Sequence, residues 1–238
     1  MLRVDSVTKY FRGLTAVRQV SFEVPTGSIV ALIGPNGAGK TTTFNVINGI
    51  MRPEEGRVEL DGHDITGLRP DQVCHAGVGR TFQIAKPLAG LTVLDNVVVG
   101  GLRITNKVAE ARIAAAEILD VLDLADKRDT AAGSLTLPER KRLEVARALA
   151  TGPKLLLLDE VMAGLRPNET DALVETFRQL NRNLGLTILL IEHVMRAVMA
   201  LSEHVVVLNH GVLISSGTPE EVVRNPEVLE CYLGEEAV

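Results

Sequence analysis

Apolar or β-branched runs recur along the chain at Ile29 to Ile33, Leu155 to Leu158, Thr187 to Ile191 and Val205 to Leu208. Between the later runs lie segments with helical patterning, Glu169 to Leu184 and Val194 to Leu201. Continuous runs of this kind, separated by helices, predict parallel strands covered on both faces, the mark of an α/β architecture. The N-terminal third reads differently. Short β segments are expected at Leu2-Arg3-Val4, Ala16 to Val24 and Gly56 to Leu60, punctuated by Pro25, Gly27 and Gly62. Residues 92–150 read as mostly helical, and Val108 to Leu124 carries apolar positions at helical spacing with charges outside. No internal repeat or low-complexity linker interrupts this layout.

Composition narrows the picture. The chain has 238 residues, enough for one large α/β domain or a core with a lobe. Its formal net charge of −5 argues against a nucleic-acid partner. Cys74 and Cys231 lie far apart with no partner spacing, which fits a reduced, cytosolic compartment. The first residues alternate like a strand rather than a leader segment. No apolar run approaches the roughly 18 residues that a membrane span needs. There is no Trp and few aromatics, so Leu, Val and Ala must carry the core.

The strongest chemical signal is Gly34-Pro35-Asn36-Gly37-Ala38-Gly39-Lys40-Thr41-Thr42, placed directly after the run Ile29 to Ile33. It fits G-x-x-x-x-G-K-[ST], with a strand before it and a helix-compatible segment, Thr43 to Ile50, after it. Glycines let backbone N–H groups curl around an anion, and the following helix aims its positive end at the same point. Lys40 can then reach the outer phosphates, and the Thr41 hydroxyl can hold Mg²⁺. The pattern predicts a nucleoside-triphosphate site.

A second element ends the run Leu155-Leu156-Leu157-Leu158 in Asp159-Glu160. Carboxylates there stand at the carboxyl edge of a parallel sheet, where ligands bind in such folds. Asp159 is expected to orient Mg²⁺, through water or Thr41, and Glu160 to polarise an attacking water. His193 follows the run Thr187 to Ile191 and could touch a γ-phosphate, although a lone histidine is more often structural. Gln83, in Arg80-Thr81-Phe82-Gln83, falls in a loop and could supply a Mg²⁺ or water contact. His63, His75, His204 and His210 lack such placement.

In this order, the phosphate loop, Gln83, Leu135 to Leu149, Asp159-Glu160 and His193 resemble the nucleotide-binding subunits of ABC transporters over nearly the whole chain. Finer features resemble the subunits of branched-chain amino acid importers: Phe44-Asn45, Gly79 to Gln83, Thr92 to Val97, and the ending Tyr232-Leu233-Gly234-Glu235. The resemblance implies a single P-loop ATPase domain over 1–238. It would have a mixed or parallel sheet core (about 1–90 and 151–238), an N-terminal antiparallel β subdomain and a helical lobe (about 91–150). It implies ATP and Mg²⁺ as cofactors, hydrolysis by Glu160, His193 and Gln83, and metal contacts from Thr41, Gln83 and Asp159. It also implies Phe11 stacked on adenine, with Tyr10 as the alternative. The partners implied are a second ATPase subunit, identical or related, and a membrane permease, whose cytoplasmic face this subunit would occupy without spanning the membrane. A GTPase reading fails on the absent Asn-Lys-x-Asp, the nearest match being Asn106-Lys107-Val108-Ala109. A non-transport ABC ATPase acting on ribosomes or DNA remains the alternative, though such chains usually carry two such domains or a long coiled-coil insertion.

Three departures from the family pattern stand out. The signature, usually Leu-Ser-Gly-Gly-Gln, aligns with Leu135-Thr136-Leu137-Pro138-Glu139, so both glycines are gone. The family's Ser-Ala-Leu-Asp loop aligns with Ala163-Gly164-Leu165-Arg166, and Val194 follows His193 where an aspartate is common. Thr136 with Glu139 three residues on is nevertheless a capping box, and Pro138 is tolerated in a first turn. The segment is therefore expected to start a helix, and Glu139 to repel a triphosphate unless it folds back onto that cap.

Overall fold

The computed structural model describes residues 1–83 and 86–233; Gly234-Glu235 of the family-like ending lies outside the described residues. The strands are β1 (Leu2–Phe11), β2 (Leu14–Val24), β3 (Ile29–Ile33), β4 (Glu55–Leu60), β5 (His63–Asp64), β6 (Val78–Arg80), β7 (Leu155–Asp159), β8 (Thr187–Ile191), β9 (His204–Asn209) and β10 (Val212–Gly217). The helices are α1 (Lys40–Ile47), α2 (Pro70–Ala76), α3 (Val93–Gly101), α4 (Val108–Val121), α5 (Leu137–Ala150), α6 (Pro167–Leu184), α7 (Met195–Leu201), α8 (Pro219–Val222) and α9 (Pro226–Leu233).

The four apolar runs become β3, β7, β8 and β9, as their composition predicts. With β6 and β10 they form a six-stranded sheet in the order β10-β9-β3-β8-β7-β6. The pairs β9/β3, β3/β8, β8/β7 and β7/β6 are parallel, and only the edge strand β10 is antiparallel. Every residue of β3, β7 and β8 is buried. One apolar layer packs Ile29, Ala31, Ile33, Leu156 and Leu158 against α3 to α7; the other packs Val30, Leu32, Leu155 and Leu157 against α1 and the second sheet. The carboxyl ends of β3, β7 and β8 thus deliver the phosphate loop, Asp159-Glu160 and Glu192-His193 to one edge.

The second sheet is antiparallel, in the order β2-β1-β4-β5. Here the sequence underestimates the strands: β1 runs on to Phe11, and β2 begins at Leu14. The cause is local. Ser6 and Gln19 adopt left-handed backbone angles, and the β1/β2 register shifts between Val4 and Val7 and again near Lys9. Each irregularity resets the inside–outside alternation, so a period-two reading loses the strand while the hydrogen bonding continues.

Helix α1 also corrects the expectation. It starts at Lys40, three residues before Thr43, because Gly39 turns the chain with φ +101°. A side chain at Gly39 would lie 2.6 Å from the Ala16 carbonyl oxygen, so only glycine serves there. Helices α3, α4 and α5 supply the helical stretch expected over residues 92–150. Among the described residues no helix is long and apolar enough to cross a membrane.

Candidate active site

The phosphate loop wraps one wall of a cavity of about 250 Å³ lined by Asn36 to Thr42, with Ala16, Gln83 and Glu160 opposite. Helix α1 points its N-terminus into this space. Gly39 offers no side-chain cap, and the first turn holds no acid, so nothing in the helix competes for an anion at its end. Lys40 is buried, and its Nζ donates to the carbonyls of Gly34 (2.6 Å) and Pro35 (2.8 Å). The ammonium is thereby held over its own loop. Thr41 lines the cavity at the first turn of α1.

Glu160 follows β7 with φ +50°, its N–H bonded to Ile191 O at 2.9 Å across to β8. A non-glycine residue in the left-handed region is strained and persists only where its surroundings hold it. The carboxylate is gripped from both sides: His193 Nε2 donates to Oε1 at 2.9 Å, and Gln83 Nε2 donates to Oε2 at 2.6 Å. Residues 83, 160 and 193, singled out separately in the sequence, therefore meet in one hydrogen-bonded group beside the phosphate loop. The Gln83 amide nitrogen donates to Glu160, so the metal or water contact expected of this side chain falls to its Oε1.

Asp159 is buried next to this group. Its Oδ2 accepts from Arg80 Nη2 at 2.8 Å, and its backbone N–H donates to Thr81 Oγ1 at 3.1 Å. Oδ1 has no hydrogen-bond partner among the described residues. Arg80 is the site residue that sequence reasoning missed. Its guanidinium also donates to Asn45 Oδ1 (2.7 Å) and lies 5.7 Å from the Phe44 ring and 5.4 Å from the Phe82 ring. The available signal was indirect: an arginine on a short apolar stretch, three residues before Gln83, needs an acid if it is buried.

Glu192, beside His193, is buried as well. Its Oε1 accepts from the Met162 N–H at 2.9 Å, while Oε2 has no partner among the described residues. Burial, with the nearby Glu160 carboxylate adding to it, pushes its pKa up to about 7.

The signature segment lies at the N-terminus of α5. Thr136 is the N-cap, and the capping box forms as its residue types predict. The Glu139 carboxylate folds back: Oε2 accepts from both the Thr136 N–H and Oγ1–H at 2.8 Å. Those bonds hold its pKa below the usual carboxylate range. Leu137 is exposed and lines a cavity of about 430 Å³ with Gln83, Lys141 and Glu160. Thr136, Pro138 and Glu139 line neither that cavity nor the phosphate-loop cavity. Arg166, where the family has an aspartate, is the N-cap of α6 and donates its N–H to Glu169 at 2.7 Å. Phe11 and Tyr10 both stand exposed at the end of the β1/β2 hairpin, and Ala16 is what the hairpin gives to the cavity wall.

Comparison with known proteins agrees with this geometry. Residues 17–163 match the family model described as ABC transporter. The chain belongs to the ABC transporter family. Residues 212–238 match a further model, that of the branched-chain amino acid ATP-binding cassette transporter. The chain is 40% identical over 250 residues to the high-affinity branched-chain amino acid transport ATP-binding protein BraF of Pseudomonas aeruginosa, covering 99% of this chain and 98% of that one. Its fold superposes with a TM-score of 0.90 on the crystal structure of a nucleotide-free ATP-binding cassette from an ABC transporter, 34% identical, covering 98% of each chain. It also matches, with a TM-score of 0.84 and 25% identity over 92% of this chain and 99% of that one, a cassette solved as a dimer in a post-hydrolysis state bound to ADP and Pi. As a member of this family the chain is an ATPase, and the α/β P-loop architecture expected from its motifs is the one observed.

Proposed function

We propose that this ATPase powers an importer of branched-chain or related amino acids, as one of two ATPase subunits docked on the cytoplasmic face of a membrane permease. The near full-length similarity to BraF supports the solute class, and the dimeric relative bound to ADP and Pi supports the pairing. ATP binding across two subunits would close the dimer and hydrolysis would reopen it, so chemistry drives the permease.

Residues 34–42 bind the triphosphate: backbone N–H groups and the end of α1 take the phosphates, and Lys40 turns from its loop carbonyls to the outer ones. Phe11 or Tyr10 stacks on adenine. Among the described residues no cluster of three or more His, Cys, Asp or Glu offers a protein-only metal cage. The donors present fit Mg²⁺ nonetheless. That cation keeps several waters and takes one or two protein oxygens plus substrate phosphates, and here the Thr41 hydroxyl and the unpartnered Asp159 Oδ1 are such oxygens. When bound, Mg²⁺ neutralises charge on the phosphates. Arg80 fixes the Asp159 carboxylate through Oδ2, and Oδ1, which has no hydrogen-bond partner among the described residues, would be the oxygen to hold the metal.

The observation that carries the reading is the Glu160 carboxylate, fixed by Gln83 and His193 on the wall of the phosphate-loop cavity. From there Glu160 takes the proton of the attacking water, and His193 and Gln83 hold its aim. Thr136 to Glu139 face the nucleotide of the second subunit, which is why they stand away from this chain's own loop. Glu160→Gln should leave ATP binding intact and slow hydrolysis by about 10²- to 10⁴-fold, the scale of a positioned general base. The variant should also accumulate an ATP-dependent dimer in size-exclusion chromatography. Hydrolysis at the parent rate would remove Glu160 from the chemistry.

A further inference from the structure

Lys141 lies on α5, two residues beyond the signature, and is only 4% exposed. Its Nζ donates to the main-chain carbonyl of Glu160 at 2.9 Å and to that of Gln83 at 3.1 Å. These are the two residues whose side chains are hydrogen-bonded to each other at 2.6 Å. One buried ammonium therefore clamps the backbones of both members of that pair. It also anchors the carbonyl of a residue whose φ of +50° needs outside support. A lone ammonium this deep would be costly. Burial lowers its pKa, and the charges of Glu192, Glu160, Asp159 and Glu144 offset only part of that loss.

We propose that Lys141 is a positioning residue for hydrolysis, setting the aim of Glu160 from the helix that carries the signature. The clamp ties the start of α5, which faces the second subunit, to the carboxylate that serves this chain's own nucleotide. A shift of α5 is then felt by Glu160 through a single side chain. The inference rests on Glu160 being the base.

Single-turnover hydrolysis and nucleotide affinity, measured on the complex assembled with its second ATPase subunit and permease, test it. Lys141→Met should lower the hydrolysis rate about 10²-fold, the cost of misplacing a catalytic group by about 1 Å, with ATP affinity unchanged. Lys141→Arg, which keeps charge and donors, should recover most of the rate. In a Glu160→Gln background Lys141→Met should slow the residual hydrolysis no further, because the ammonium acts only through that carboxylate. A parent rate for Lys141→Met beside a slow Glu160→Gln overturns the positioning role alone. A parent rate for Glu160→Gln overturns the base reading beneath it. Equal slowing by Lys141→Met in both backgrounds assigns Lys141 to general stability and overturns the proposal. If the methionine variant does not fold, the arginine variant decides by the same criterion: a folded Lys141→Arg that slows hydrolysis equally in both backgrounds overturns the proposal.

Discussion

Two helix N-termini in this molecule are built for opposite purposes. Helix α1 begins at a glycine with no side-chain cap and no acid in its first turn. Helix α5 begins at a threonine whose N–H and hydroxyl both donate to its own Glu139. Both helices end on the same partial positive charge. At α1 no side chain of the helix occupies that end; at α5 a carboxylate from the same helix already holds the N–H and hydroxyl of the N-cap. Stability and ligand binding therefore compete for the same donors, and the sequence chooses between them through glycine or through Thr-x-x-Glu.

The largest way to break the contrast is at the open end. Lys40→Ala should weaken ATP binding by about 10²-fold or more, because each charge-assisted contact to the outer phosphates is worth about 1.5–3 kcal/mol. Isothermal titration checks this, and an unchanged affinity would reduce the loop to a turn.

A second carboxylate sharpens the contrast. Glu139 is satisfied locally and stays below its usual range, whereas burial pushes the Glu192 pKa up to about 7. Facing it are the Glu160 carboxylate, the Lys141 ammonium and the backbone N–H groups of Met162 and His193. Because its pKa is raised on folding, the folded state holds more protons than the unfolded one between about pH 4.5 and 7. Stability attributable to this group therefore falls as pH rises through that window. Glu192→Gln should remove the penalty, stabilising the protein at pH 8 by up to roughly 3 kcal/mol with little change near pH 4.5. Urea unfolding at the two pH values reads this directly, and equal shifts at both would contradict it.

Much of this was legible in the sequence because it is local. The phosphate loop declares itself by glycine spacing between strand and helix, and the capping box by Thr136 and Glu139 alone. Unbroken apolar runs marked the parallel strands because both of their faces are buried. What escaped depends on distant contacts or on backbone angles. The Arg80–Asp159 pair joins residues far apart in sequence, and the Lys141 clamp reaches two main-chain carbonyls that leave no trace in residue types. The true start of α1 depends on Gly39, and the length of β1 and β2 on Ser6 and Gln19 in left-handed conformations. The helix periodicity of α5 could be read, but not that its Lys141 is buried.

The closed end of α5 carries the smallest expected effects and the most direct test. ATP turnover by the assembled complex should be compared for Thr136→Ala and for Leu137→Gly combined with Pro138→Gly. Losing the cap should cost about 0.5–2 kcal/mol of stability and lower turnover, because Glu139 keeps only the backbone half of its hold on the helix end. The two glycines should raise turnover, because they restore a backbone donor and close approach for the second subunit's nucleotide. Opposite signs are the expected result. Parent-like turnover in both variants would mean that this end of α5 meets no nucleotide, and that it differs from α1 without serving a complementary purpose.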